Sequence, residues 1–379
     1  MTIPTPFRWV LLPWFLFLLF PAYPLSGQDS VFSIPTIDLS RETHRQVEVD
    51  REHGQYLGHP TTVLLEDSLG ILTVYPRGHG RGAVVMKRSS DGGLSWSPRL
   101  PVPENWATSQ EVPTLFRVED SQGTRRLIMF SGLYPIRMAV SENDGENWTT
   151  LEPIGDFGGI VAMSSVVRLK NGDHMALFHD DGRFLKNEGS RTHFQVFKTL
   201  SNDGGLTWGE PEVVTEHPDA DLCEPGAIRS PDGNTLALLL RENSRTHNSF
   251  VVFSQDEGES WSEPREIPAA LTGDRHTAKY GPDGRLFISF RDMAEGSPTK
   301  GDWVAWVGTF QDIVEGGDGQ FRVRLMDNKN AWDTAYPGVE VLPDGTFVVT
   351  TYGHWVEGEE PFIVSVRLSL DELDRRVGG

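Results

Sequence analysis

The sequence predicts an all-β fold, a six-bladed β-propeller of four-stranded antiparallel blades. Three observations predict it. Four near-copies of one short pattern end at Trp96, Trp148, Trp208 and Trp261, spaced by 52, 60 and 53 residues. Six turns end at Gly70, Gly123, Gly172, Gly233, Gly284 and Gly345, at intervals of 49 to 61 residues. Apolar or alternating runs flank these turns, as at Leu236-Ala237-Leu238-Leu239-Leu240 and Thr346-Phe347-Val348-Val349-Thr350. A repeat of this period means stacked units. Four-stranded units closed into a ring fit that period and leave no long sheet edge exposed.

Each element follows in chain order. Arg8 precedes an apolar stretch from Trp9 to Phe20, which is short for a membrane span. Residues 1–27 are therefore read as an export signal, and residues 28–379 as one propeller domain, secreted or periplasmic. An uncleaved membrane anchor is the alternative. The repeated pattern comes next, first as Ser89-Ser90-Asp91-Gly92-Gly93-Leu94-Ser95-Trp96. Its Asp side chain accepts nearby backbone N–H groups in a tight turn. Its Trp then packs sideways on a neighbouring unit. The second copy carries Asn143 at the Asp position. Three of the six glycine turns read Pro-Asp-Gly, beginning at Pro231, Pro282 and Pro343. Asp-Gly between apolar runs signals a hairpin.

Composition bounds the partners. The formal net charge is −20, with a pI near 4.9. An acidic surface repels nucleic acid and anionic membrane, and neither is expected as a partner. After signal cleavage no stable membrane insertion is expected, and the protein reads as a monomer. Cys223 is the only cysteine, so no internal disulfide forms. It reads as a small buried residue.

The turn glycines serve as a ruler. Nine residues before the last three stand Glu224, Arg275 and Tyr336. The earlier blades give His59, Glu111-Val112 and Val161-Ala162 in looser register. Seven or eight residues after the turns stand Arg77, Ser131, His179 and Asp180, Arg241, Arg291 and Asp292, and Tyr352. In a hairpin the start of one strand lies beside the end of the next. Glu224 is thus expected beside Arg241, Arg275 beside Arg291, and Tyr336 beside Tyr352. All should face one mouth of the channel, with the tryptophan turns at the other end. Arginines gathered there suit bidentate recognition of a carboxylate, and so an anionic sugar. Solvated rim charges are the bland alternative.

At this point the chain resembles the sialidase superfamily. The tryptophan repeats resemble its Asp-boxes. Cys223-Glu224-Pro225-Gly226-Ala227 through Leu240-Arg241 resembles the blade that supplies a catalytic glutamate and an arginine. Ala335-Tyr336-Pro337-Gly338-Val339 resembles the blade that supplies the nucleophilic tyrosine. The resemblance implies an exported exo-glycosidase acting on terminal sialic acid or a related 2-keto sugar acid in glycoconjugates. Glu224 would take the proton of Tyr336, because a phenol near pKa 10 attacks poorly without a base. A retaining mechanism with a tyrosyl-glycoside would follow. Arg241 and Arg291 would hold the substrate carboxylate, with Arg275, Arg77 and His59 as further binding residues.

Departures accompany the resemblance. The family opens its first blade with an arginine, where this chain has Leu57-Gly58-His59-Pro60. It braces that arginine with a late glutamate, where this chain has Thr351-Tyr352-Gly353. The general-acid aspartate of the first-blade loop is missing from Tyr75-Pro76-Arg77-Gly78-His79-Gly80-Arg81-Gly82. His79, Asp180, Asp181 and Asp274 are the alternatives as proton donor. No cofactor and no metal is implied: the histidines lack ligand spacing, and His53, His59 and His79 group only loosely. No Gly-x-Ser-x-Gly supports a serine hydrolase. The rival reading is a lectin-like propeller that binds sugar without turnover.

Overall fold

A computed structural model describes residues 1–2, 31–185 and 194–378. The expected export segment, apart from its first two residues, lies outside the described residues. Six sheets form a ring, and their inner strands touch in cyclic order. These inner strands are Thr61–Leu64, Pro113–Glu119, Ile160–Arg168, Leu222–Arg229, Gly273–Tyr280 and Gly338–Val341. The six-bladed propeller is the observed fold.

Two sheets differ from the expected four strands. The first blade has three, Thr61–Leu64, Ile71–Pro76 and Val84–Ser89. The segment that would supply its fourth strand holds Pro98, Pro101 and Pro103. It keeps only two backbone bonds to the sheet, from Ser97 N–H to Arg88 O (2.8 Å) and from Leu100 N–H to Met86 O (2.8 Å). Proline lacks the donor that a ladder needs. The fifth blade has five strands, because Thr36–Asp38 adds in parallel to Phe321–Met326. The sixth blade closes the ring. Gln46–Asp50, from the N-terminal side, is its outermost strand, pairing with Phe362–Leu368. Both ends of the propeller are thereby held in one sheet.

Apolar clusters between neighbouring blades build the core around the ring. Leu169, Met175 and Leu177 of the third blade pack with Leu236, Leu238 and Leu240 of the fourth. Phe287 and Val307 of the fifth pack with Phe347 and Val366 of the sixth. Burial of each such side chain stabilises by about 1.5–3 kcal/mol.

The tryptophan turns do what their pattern dictates. Asp203 Oδ1 accepts from Thr207 N–H at 2.9 Å and from Ser201 Oγ at 2.8 Å, and Oδ2 accepts from Thr207 Oγ1 at 2.6 Å. Ser201 Oγ accepts in turn from Gly205 N–H at 2.9 Å. Gly205 needs its φ of +83° and has no room for a Cβ, which would sit 2.4 Å from Ile128 of the preceding blade. Each box tryptophan packs on the blade before it: Trp208 meets Phe130 edge-on at 5.6 Å, and Trp148 meets Trp106 at 5.4 Å. Both sets of turns lie at the same end, as the bond from Gly92 N–H to Leu69 O shows. The opposite end is left to the mouth. Trp208→Ala should therefore lower the unfolding free energy by about 3–5 kcal/mol. Asp203→Ala should cost about 1–2 kcal/mol through lost turn bonds. Denaturant titration of the two variants checks the order; equal effects would contradict it.

Candidate active site

Backbone shape at the mouth decides where the site residues point. His59, Val161, Glu224, Arg275 and Ala335 all have positive φ, between 48° and 56°. Each stands where an inner strand begins, in five of the six blades. A side chain in this region costs of order 1–3 kcal/mol and persists where the surroundings fix it. Bulges accompany three of these residues, between Ile160 and Ser165, Cys223 and Gly226, and Asp274 and Thr277. A bulge re-aims side chains at a sheet end.

At the floor of the mouth, Tyr336 Oη donates to Glu224 Oε1 at 2.5 Å. The two side chains come from the sixth and fourth blades and are both buried. Arg241 Nη1 also donates to Glu224 Oε1, at 2.6 Å. Burial pushes the Glu224 carboxyl up, but the Arg241 charge and the Tyr336 bond outweigh it and the opposing charge of Asp274, and the net shift is downward. Burial and the Glu224 charge push the Tyr336 phenol well above its ordinary value. The pair rests as carboxylate and neutral phenol.

Asp274 is the second focus. Arg245 binds it bidentately, Nη1 to Oδ1 at 2.6 Å and Nη2 to Oδ2 at 2.8 Å. Arg291 donates from Nε at 2.8 Å and from Nη2. Arg241 Nε stands 3.3 Å away. Against a large burial cost these guanidinium groups hold Asp274 far below the usual carboxylate range. Asp274 therefore stays ionised and is not a proton donor, contrary to one of the sequence alternatives.

A third group lines the wall. Gly80 N–H donates to His59 Nδ1 at 3.2 Å, which leaves the ring proton on Nε2, 3.1 Å from Tyr352 Oη. Tyr352 Oη donates to Asp333 Oδ1 at 3.0 Å. Tyr56 Oη also donates to Asp333, and meets His79 Nδ1 at 2.7 Å. Complete burial and the nearby cationic groups hold His59 well below its ordinary value, so its ring is neutral.

These residues enclose one well with two lobes. The larger, about 370 Å³, is lined by Arg241, Arg245, Arg291, Trp332, Tyr336 and Tyr352 among others. The smaller, about 280 Å³, is lined by Glu111, Asp181, Glu224, Arg241 and Tyr336 among others. His59 and His79 border both.

Of the residues reached by sequence counting, Tyr336, Glu224, Arg241, Arg291 and His59 line this well, and so do His79 and Asp181, named as alternative proton donors. Two residues go elsewhere. Arg275 does not neighbour Arg291, because the bulge puts Asp274 opposite it. Arg275 lies 5.7 Å under the Tyr336 ring and borders the central tunnel. Arg77 ion-pairs with Glu52 at 2.8 Å and lines neither lobe. Asp180 is buried and accepts the N–H groups of Gly182, Phe184 and Leu185, a loop-holding role. Asp181 binds Arg183 Nε at 2.7 Å. Four residues were missed: Arg245, Asp333, Trp332 and, as a site carboxyl, Glu111. Glu111 had only a loose register signal, and the other three stand on loops between strands. Burial holds the Glu111 carboxyl above its ordinary value, assisted by the Glu224 charge.

The fold and this arginine-bordered well define a sialidase-like propeller. Residues 134–349 match the BNR repeat-like domain, and the chain belongs to that family. It is 25% identical over 264 residues to a sialidase of Clostridium perfringens, which covers 63% of this chain and 56% of that protein. The chain thus spans just over half the length of this relative. Among solved structures, a protein of unknown function from Dyadobacter fermentans superposes with a TM-score of 0.68 at 16% identity, covering 86% of this chain and 98% of that one. The NanB sialidase of Streptococcus pneumoniae gives 0.62 at 12% identity, covering 86% and 71%. An α-L-arabinofuranosidase of Fusarium graminearum, complexed with arabinobiose, gives 0.65 at 11% identity, covering 86% and 98%. The structural likenesses support the fold.

Cys223 offers a check on the wall of the well. It is 2% exposed, and burial raises its thiol well above the ordinary range. A water-soluble thiol reagent should leave it unmodified in the native protein and label it fully after unfolding. Rapid native labelling would contradict this geometry.

Proposed function

We propose that the protein is an exo-acting, retaining glycoside hydrolase in which Tyr336 is the nucleophile and Glu224 its base. One observation carries the reading: the 2.5 Å bond from the buried phenol to the buried carboxylate at the floor of the well. A sugar-binding surface alone has no use for a base behind a phenol. In the first step Glu224 Oε1 takes the Tyr336 proton while the phenolate oxygen bonds to the anomeric carbon. The bond to the leaving oxygen breaks, and a general acid of the well protonates that oxygen. Water then attacks the same carbon, giving its proton to the acid's conjugate base. The phenol leaves and regains its proton from Glu224.

The resemblance names terminal sialic acid or a related 2-keto sugar acid. Arg241 and Arg291, the matched arginines, support that sugar, and His59 in place of the first arginine departs from it. For the proton donor, His79 and Asp181 border the well as the sequence suggested. Glu111 has the environment that favours a protonated carboxyl. Export of the chain, suggested by its apolar N-terminal stretch, belongs to the same reading and is checked by fractionating expressing cells.

A panel of aryl glycosides tests the chemistry. Tyr336→Phe and Glu224→Gln should each lower kcat by about 10²–10⁴-fold. Unchanged sugar affinity with no turnover in any form would favour the lectin reading instead. The pH dependence follows from the two shifts. Glu224 must be ionised, and its lowered pKa keeps activity until the pH falls below the ordinary glutamate value near 4.5. Glu111 must be protonated, and its raised pKa sets an alkaline limb above that same value. Glu111→Gln should remove the alkaline limb and hurt poor leaving groups more than activated ones. A profile of kcat/KM unchanged in that variant would exclude Glu111.

A further inference from the structure

We infer that the sugar bound in this well carries no carboxylate at its reacting carbon, because Asp274 supplies that carboxylate from within the protein. This rests on the glycosidase reading and narrows its substrate to a neutral sugar.

The first support is the way the arginines are engaged. Arg241, Arg245 and Arg291 converge on one carboxylate, and it belongs to the chain. Their other bonds go to protein as well. Arg241 Nη1 binds Glu224, and Arg241 Nη2 binds Asn243 at 2.8 Å. Arg291 Nη1 donates to Trp332 O and to Thr334 O. A substrate carboxylate would have to compete with Asp274, which is fully buried and already positioned. Bidentate pairs of this kind are strong when desolvated.

Charge balance gives the second support. The three arginines that line the larger lobe are paired behind it with carboxylates, Arg241 with Glu224 and all three with Asp274, and Asp333 lies behind Tyr352, with Arg275 a further cation beside Tyr336. The position the resemblance assigns to a third substrate-binding arginine holds a neutral His59. The bracing glutamate that the resemblance expects in the last blade is replaced by glycine in Thr351-Tyr352-Gly353, and His59 meets the neighbouring Tyr352 hydroxyl instead. Both members of that pair have lost their charge together. An anion entering this lobe gains little, and Asp333 opposes it.

Third, the lobe presents an apolar platform. Trp332 is 53% exposed, far above Tyr336 and Tyr352 of the same lobe. An exposed indole beside hydroxyl and imidazole groups suits the C–H face of a neutral sugar ring.

The test uses the full chain and three measurements. Aryl glycosides of neutral pyranoses and furanoses are assayed beside the aryl glycoside of N-acetylneuraminic acid. Binding of the free sugars is followed by calorimetry. Asp274→Asn is then titrated with N-acetylneuraminic acid, after its thermal unfolding has shown that it folds. The expected result is cleavage of at least one neutral glycoside, at least a hundredfold above the sialoside, with a tenfold or greater gain of acid-sugar affinity in Asp274→Asn. Should that variant not fold, the wild-type panel alone decides. Cleavage or tight binding of the sialoside by the wild type overturns the inference and leaves the glycosidase reading standing. A neutral sugar that binds without any glycoside being cleaved supports the inference and overturns the glycosidase reading. Binding of neither sugar class overturns the inference.

Discussion

Closure of the ring is the constraint on which the site depends. Tyr336 and Glu224 are separated by 112 residues and belong to different sheets. Their hydrogen bond exists only because the fourth and sixth blades stand at fixed positions around one axis. That geometry is set by Gln46–Asp50, the outer strand of the last sheet, and by the four box tryptophans of the first four blades, as where Trp208 packs on Phe130 of the blade before. A loose ring would let a 2.5 Å contact open at little cost. The N-terminal strand is thus tied to the site, and its Val49 shares an apolar cluster with Tyr336 and Tyr352.

Inside that ring the well concentrates buried charge that is stable only because it is paired. Buried ions cost several kcal/mol each unless paired with good geometry. Here each arginine of the larger lobe meets a carboxylate, and Asp274 is shared among three. Breaking one member leaves the others buried without compensation. Such a network is rigid, and rigidity fixes the phenol and its base. Arg275 adds a charge from below, over the face of the Tyr336 ring, and helps hold Glu224 ionised against burial.

Much of this was legible in the sequence, and the limits have physical causes. Turn chemistry is local, so glycine turns and Asp-boxes announced six blades without any tertiary information. The ruler worked for Glu224 and Tyr336 because strand registers repeat from blade to blade. The same bulge precedes Glu224 and Arg275, so Cys223 and Asp274 take the places opposite Arg241 and Arg291; Glu224 still accepts from Arg241, whereas Arg275 turns to the face of Tyr336 and leaves Asp274 to meet Arg291. Arg245, Trp332 and Asp333 lie on loops that reach the mouth from the fourth and fifth blades, and no periodicity marks such positions. Proline content of the segment after Trp96 could have warned that the first blade would lack a fourth strand.

The internal carboxylate also bears on why the proposed nucleophile is a phenol. In the sialidase resemblance, a neutral nucleophile avoids bringing a second negative charge towards a substrate carboxylate. If the substrate is neutral, that reason would vanish unless the protein reproduces the charge itself. Asp274 does so: it sits fixed among the arginines that would otherwise hold the ligand, and its charge is felt at Glu224. A carboxylate nucleophile would then face the same repulsion from a residue as from a sugar acid. Under the proposed mechanism the phenol would keep its advantage, and the same blade chemistry would become available to a different class of sugar through a single buried side chain.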